Sequence, residues 1–156
     1  MNSIPMNSTL ADLTARTGFE VLDHLELEMT IPITDGIQAQ GDLLVIPYAL
    51  VRNAVTEGPF ARWREIPTTG LELLRSGAGG NPLSLVADPG SCRWTSDVRD
   101  TANLALGMLD THVVAYLIHP EHGASAIAPG RYIIRRQRER GTAPATGRSL
   151  DHLIAD

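Results

Sequence analysis

The chain contains no lysine; all 13 of its basic residues are arginine. Without an ammonium side chain there is no Walker-type phosphate loop, no Schiff-base chemistry and no serine–lysine dyad. A GC-rich genome produces the same bias, and the exclusions hold whatever its origin. Cysteine is almost as scarce. A single residue, Cys92, permits neither an internal disulfide nor a thiolate zinc cluster, and it suits a reducing compartment. Aromatics make up only 4% of the chain, with Trp63 and Trp94 the largest apolar side chains. Core packing or a partner contact accounts for both more simply than a stacking platform. No apolar run approaches the roughly 20 residues that span a bilayer. Met1 to Ser8 has neither the basic start nor the apolar core of a signal peptide. The expected location is the cytoplasm, without membrane contact. A net charge of −5 argues against attraction of the whole molecule to nucleic acid or an anionic membrane, so any basic surface must be local.

What is present suits one soluble domain. The chain has 156 residues, 43% hydrophobic and 20% charged, enough to bury about two thirds of its unfolded surface. Ser8-Thr9-Leu10-Ala11-Asp12-Leu13 offers cap residues and an acidic first turn, and Gly18 a stop, so a short helix is expected over 9–17. His24 to Ile31 alternates polar and apolar residues, as a half-buried strand does, and Pro32 places that strand's far end at a sheet edge. Asp35-Gly36 is a hairpin-type signal, and Gly41 to Pro47 reads as a strand buried on both faces. Residues 48–56 read equally as helical turns or strand. Short apolar runs then recur near 61–66, 71–75, 83–87, 104–109, 113–118 and 131–138. Gly77-Ala78-Gly79-Gly80-Asn81 reads as a flexible hairpin loop rather than an anion-binding one, and Asp88-Pro89-Gly90 and Ala128-Pro129-Gly130 as type II turns. The expected fold is mainly β: an antiparallel β-barrel or β-sandwich with a short N-terminal helix, forming one domain over 1–156. Residues 1–8 and 141–149 are expected to be mobile, with 150–156 docking as a helical turn or a last short strand.

Chemistry concentrates late in the chain. Val113 to Ile118 is a continuous apolar run ending at His119-Pro120-Glu121-His122, so these groups are expected in a loop at a strand exit. His119 and His122 could share a divalent transition metal such as zinc, with Glu121 as a general base. Two ligands are too few alone, and His112, His24, Asp110, Asp88 or His152 would have to supply the rest. The plainer reading is a solvated loop. Arg131, Arg135, Arg136, Arg138 and Arg140 then crowd five guanidinium groups into ten residues. On a strand, Arg136 and Arg138 share the face of Tyr132 and Ile134, while Arg131 and Arg135 share that of Ile133. The C-terminal half is expected to be exposed on both sides, where it could contact phosphate or bases, or simply pair with acids and discourage edge association. Arg93 beside Cys92 could favour a thiolate and a Cys–His pair, although a free cysteine in this setting is more often buried filler.

Three segments, His119-Pro120-Glu121-His122, Pro129-Gly130-Arg131-Tyr132 and Arg136-Gln137-Arg138-Glu139, form a block that resembles a group of small uncharacterised bacterial proteins. The resemblance runs from about Leu71 to Glu139 and carries no activity with it. Some members of that group follow the Gly-rich stretch with a second histidine pair. Here Asn81 and Leu83 stand in its place, which weighs against metal binding in this chain.

The sequence therefore favours a non-enzymatic binding or assembly module. Its contacts with a protein partner, or with a second copy, are expected through the His119–His122 loop and the Arg131–Arg140 strand, with Arg131, Tyr132, Arg135, Arg136 and Arg138 as contact residues and no cofactor. A metal-assisted hydrolase using His119, His122 and Glu121 is the first alternative. A nucleic-acid or other polyanion contact protein is the second.

Overall fold

The computed structural model describes residues 9–18, 31–75, 82–121, 123–140 and 151–153. Helix α1 (Leu10–Thr17) comes first, followed by strands β1 (Ile33–Thr34), β2 (Gln38–Gln40) and β3 (Leu43–Pro47) and the one-turn helix α2 (Tyr48–Val51). Next come β4 (Val55–Glu57), β5 (Arg64–Glu65), β6 (Leu71–Arg75), β7 (Pro82–Val86), β8 (Cys92–Thr95) and β9 (Val98–Asp100). The last are β10 (Ala105–Thr111), β11 (Ala115–His119), β12 (Gly123–Ile127), β13 (Gly130–Arg136), β14 (Arg138–Arg140) and β15 (Asp151–Leu153).

Two sheets carry the fold. One has five strands in the order β1-β12-β11-β7-β6, the other six in the order β2-β3-β13-β10-β8-β5. The pairing is antiparallel except between β1 and β12. Leu43, Val45, Tyr132 and Ile134 from the larger sheet pack against Leu85, Leu117 and Ile127 from the smaller in one core. The architecture is a mainly β sandwich, and no closed barrel forms among the described residues.

Both sheets are also covered on their outer faces. Helix α1 starts on a reciprocal cap made by the expected cap and acidic residues: Asp12 N–H donates to Thr9 Oγ1 and Thr9 N–H to Asp12 Oδ2. Such caps contribute about 1 kcal/mol. Gly18 ends the helix in the left-handed region, its N–H donating to Thr14 O. The helix lays Leu10 and Leu13 on Val86, Tyr116 and Ile118 of the five-stranded sheet. Strand β11 is thus buried on both faces, which is why Val113 to Ile118 shows no polar alternation. On the other sheet, α2 and the antiparallel β4–β9 ribbon lie over Met108 and Ile133. Residues 48–56 therefore hold both a helical turn and the start of a strand.

Several expectations need correction. Strands β8, β9 and β12 were not legible, because each is short and holds polar residues or small ones. Asp35-Gly36 is not a hairpin turn: β1 and β2 belong to different sheets, and the bend carries the chain from one to the other. Pro129-Gly130 does the same between β12 and β13. There Gly130 has φ +151°, and a Cβ at that position would approach the Tyr132 ring to 3.4 Å. Tyr132 Oη donates to Ala128 O at 2.8 Å across this corner, as tyrosine does at corners of other sandwiches. The 131–138 strand is shorter than expected, since Gln137 separates β13 from β14. Asp88-Pro89-Gly90 does form a turn, with Ser91 N donating to Asp88 O.

The strand expected from His24 falls largely outside the described residues, but Ile31 at its end is buried against α1. The Gly77–Asn81 loop and residues 1–8 and 141–149 also lie outside them. The strands β6 and β7 flanking that loop do pair with each other. Part of the tail docks as a strand, β15 beside β14. Among the described residues no helix is long and apolar enough to cross a membrane.

Candidate functional site

Strand β13 organises the chemistry. Tyr132 and Ile134 face the inter-sheet core, Ile133 the outer cover. Strict alternation then puts Arg131 and Arg135 on the outer face and Arg136 on the inner one.

On the outer face, the register aligns Glu65, Arg93, Asp110 and Arg131 across four strands. The result is a rung of alternating charge. Arg93 Nη2 and Arg131 Nη2 both donate to Asp110 Oδ2, at 3.4 and 3.3 Å, and Glu65 accepts from Gly90 N–H. Trp63 lies over this rung, with the Arg93 and Arg131 guanidinium carbons 5.4 and 5.2 Å from its ring. Its Nε1–H donates to Glu57 Oε1 at 2.6 Å. Each exposed ion pair contributes about 0–1 kcal/mol and each cation–π contact about 0.5–1 kcal/mol, so the rung orients the indole more than it holds the sheet together. Beside it in the chain, Phe60 is 86% exposed, and Leu50 on α2 is 63% exposed.

Arg135, on the same face, is not exposed as expected. Its Nη2 donates to Asp100 Oδ1 at 2.6 Å, and the two side chains are only 16% and 3% exposed. Asp100 also accepts from the N–H groups of Ala102, Leu104 and Ala105. Burial alone would raise its carboxyl, but the Ala102 and Leu104 amides and then Arg135 outweigh it and hold it below the usual carboxylate value. Arg135 is thus a structural clamp of β13 onto the β9–β10 turn. Tyr132 is buried in the core, which pushes its hydroxyl up, with Asp35 adding to the effect. It has no face to offer a partner.

The inner face carries Arg136 at the far end of the strand, in register with Leu43, which in turn pairs with Gln40. Gln40 Nε2 donates to Gly123 O at 3.4 Å, and Gly123 pairs with His119. These links bring the end of β13 and the β11–β12 hairpin to one end of the sandwich. The hairpin is closed by Gly123 at φ +84°, the left-handed position that a three-residue loop requires. His119 Nδ1 accepts from Glu121 N–H at 3.0 Å. A neutral ring so held carries its proton on Nε2, whereas ligation through Nε2 would place the proton on Nδ1, facing that N–H. His122 lies outside the described residues, as do the side chains of Arg138 and Arg140. Among the described residues, no three His, Cys, Asp or Glu side chains gather as a metal site would need.

Cys92 is fully buried in the inter-sheet core, and Arg93, one residue on, points to the opposite face. Burial pushes the thiol up to about 12, with Asp110 adding to this and a hydrogen bond with Thr111 offsetting part of it. The arrangement is that of a core filler. Trp94 is likewise core, whereas Trp63 is only partly buried, packed against Met108 and Ile133 on the outer face. Sequence reasoning missed Asp100 and gave Asp110 and Arg93 other roles, as a possible metal ligand and a neighbour of the Cys92 thiol; all three acquire their observed roles only through pairing between strands distant in the chain.

Neither the curated proteins nor the solved structures yielded a match. A family model described as Domain of unknown function (DUF8820) matches residues 39–137. That stretch begins in β2 and ends one residue past β13, so it holds the whole rung, the corner and the hairpin while leaving out α1 and the β14–β15 ribbon. Because the match covers well over half of the chain, the protein belongs to the DUF8820 family.

Proposed function

We propose that this protein is a non-enzymatic binding module, working in the cytoplasm, whose contact face is the outer cover of the six-stranded sheet. The observation that carries the reading is Phe60, almost wholly exposed beside an indole held by Arg93 and Arg131. An exposed aromatic next to a pre-oriented tryptophan and arginines has the composition of an interface anchor. Arg62, Arg64 and Arg99 are exposed around it and make no ion pair among the described residues. Counted with Arg93 and Arg131 against Glu57, Glu65, Asp97 and Asp110, these arginines leave an excess of one positive charge on this face of a chain of net charge −5, which favours an acidic protein segment with one apolar side chain to set against Phe60.

A peptide array that varies acidic residues around a single aromatic anchor tests the reading. Binding should rise with acidity and fall at least roughly tenfold in Phe60→Ala and in Arg62→Ala, at unchanged thermal stability. Binding that survives both substitutions would refute it. A single-stranded oligonucleotide bound tightly and lost with the same variants would replace the protein partner with a polyanion. A dimer that Phe60→Ala dissolves would make the occupant a second copy.

A further inference from the structure

The outer face of the five-stranded sheet is covered by a helix that comes from elsewhere in the chain. Val86, Tyr116 and Ala126 align across β7, β11 and β12, and Ser84, Ile118 and Ala124 form the next rung. Val86, Tyr116, Ile118 and Ala126 are buried there together with Val114. All of these residues lie within the family stretch 39–137, whereas α1, which lays Leu10 and Leu13 on them, lies outside it. The face belongs to the family domain and its helical cover does not.

That cover fits its seat incompletely. A helix that buries one side places apolar residues at i, i+3, i+4 and i+7. Counted from Leu10, these positions hold Leu10, Leu13, Thr14 and Thr17, so half of the stripe is threonine. Leu10 and Leu13 are buried, and Thr14 and Thr17 are half-buried on the same side. The two hydroxyls turn back onto the helix, Thr14 Oγ1 donating to Ala11 O at 3.0 Å and Thr17 Oγ1 to Leu13 O at 2.8 Å. Arg16, in the last turn, reaches Asp88 just past β7 at 3.8 Å, with both side chains partly exposed. Such a pair sets the direction of the helix more than it holds it down. An eight-residue helix is marginal in water by itself, so α1 keeps its form only while seated.

We infer that this face is a docking groove for an amphipathic helix of a partner protein, which α1 occupies in cis as a replaceable stand-in. The fitting helix carries large apolar residues at all four positions of the stripe and an arginine in its last turn, opposite Asp88. It keeps the two anchors that α1 supplies and adds two where α1 has threonine. Recognition of a helix in an apolar groove uses anchors at this same spacing. The groove is on the other sheet from Phe60 and Trp63, so it does not rest on the binding face described above.

The test titrates the isotopically labelled full chain, in two-dimensional NMR, with two synthetic peptides of residues 8–18. One has the native sequence and the other carries Thr14→Leu and Thr17→Leu. The substituted peptide should shift the Val86, Tyr116 and Ile118 amides saturably, while the Leu10 and Leu13 amides of the chain leave their seated positions. The native peptide should bind at least roughly tenfold more weakly, since it buries less apolar surface. Leu13→Asp in the full chain unseats α1 and should tighten the substituted peptide at least roughly fivefold, because binding no longer has to displace a cover. If that variant does not fold, Leu10→Ala loosens α1 more gently and should move the affinity in the same direction. No saturable shift on either chain, or a peptide that binds while Leu10 and Leu13 keep their signals, overturns the inference. A concentration-dependent dimer with α1 exchanged between copies would overturn the partner helix in favour of a second copy.

Discussion

Arg131, Arg135 and Arg136 sit within six residues of one strand and have three different fates. Arg131 is exposed and shares Asp110 with Arg93 under an indole. Arg135, on the same face, is enclosed by the cover and donates from Nη2 to Asp100, while its Nε is buried without a partner. Arg136, next in the chain, alternates onto the opposite face, and its Nε has no hydrogen-bond partner. Residue type is constant here, so the differences come from which layer each side chain enters and what that layer supplies. The same guanidinium is an orienting group, a clamp or a partly buried strand end. The Arg131 end can lose a charge cheaply because water replaces it, whereas the Arg135 position cannot.

The largest expected effect is at the clamp. Replacing Asp100 by Ala, or Arg135 by Met, leaves a buried charge unpaired and should cost about 3–5 kcal/mol, read as a lower urea midpoint. Because the folded state holds the Asp100 carboxyl below its usual value, its contribution is complete above the unfolded value of about 3.9. It disappears as pH falls through the lower folded value. The stability gap between wild type and Asp100→Asn should therefore be constant near neutrality and narrow only below about pH 4. A gap that stayed open in acid would show that packing, not the ionised carboxylate, holds this turn.

A smaller effect is expected at the corner where β13 begins. Tyr132→Phe removes the hydroxyl that donates to Ala128 O and should cost about 0.5–1.5 kcal/mol. A calorimetric melt checks this. A loss as large as that of Asp100→Ala would make the corner, rather than the clamp, the main anchor of the strand.

The smallest effect belongs to the exposed end. Arg131→Met should change stability by no more than about 1 kcal/mol, while freeing the Trp63 ring from one of its two guanidinium neighbours. Indole fluorescence of the Trp94→Phe background, which isolates Trp63, should then shift with little change in the unfolding midpoint. A large destabilisation would erase the contrast between the two faces of β13.

Parts of this layout were readable from local chemistry. The cap residues Thr9 and Asp12 with Gly18 mark α1 to within a residue, because capping is satisfied by neighbours in the chain. The apolar run ending at His119 places a strand and then a loop, because burial on both faces leaves no alternation. Alternation along 131–136 sorts the arginines onto the faces they occupy. By contrast β8 and β12 were silent, since Cys92-Arg93-Trp94-Thr95 and Gly123-Ala124-Ser125-Ala126-Ile127 carry too few large apolar residues to register as strands. Their partners, not their composition, make them strands.

The site was less legible than the fold for the same reason. The sequence by itself determined the exclusions that follow from having no lysine and one cysteine, the helix ends, the covered strand and the grouping of Arg136 with Tyr132 and Ile134. Only the tertiary structure decided that Asp100 would meet Arg135 across 35 residues and that Asp110 would sit between Arg93 and Arg131. Capping and alternation are set by bonds and sterics over a few residues. The fate of a charge is set by which distant strand lies alongside, and sheet register is a property of the whole assembled core.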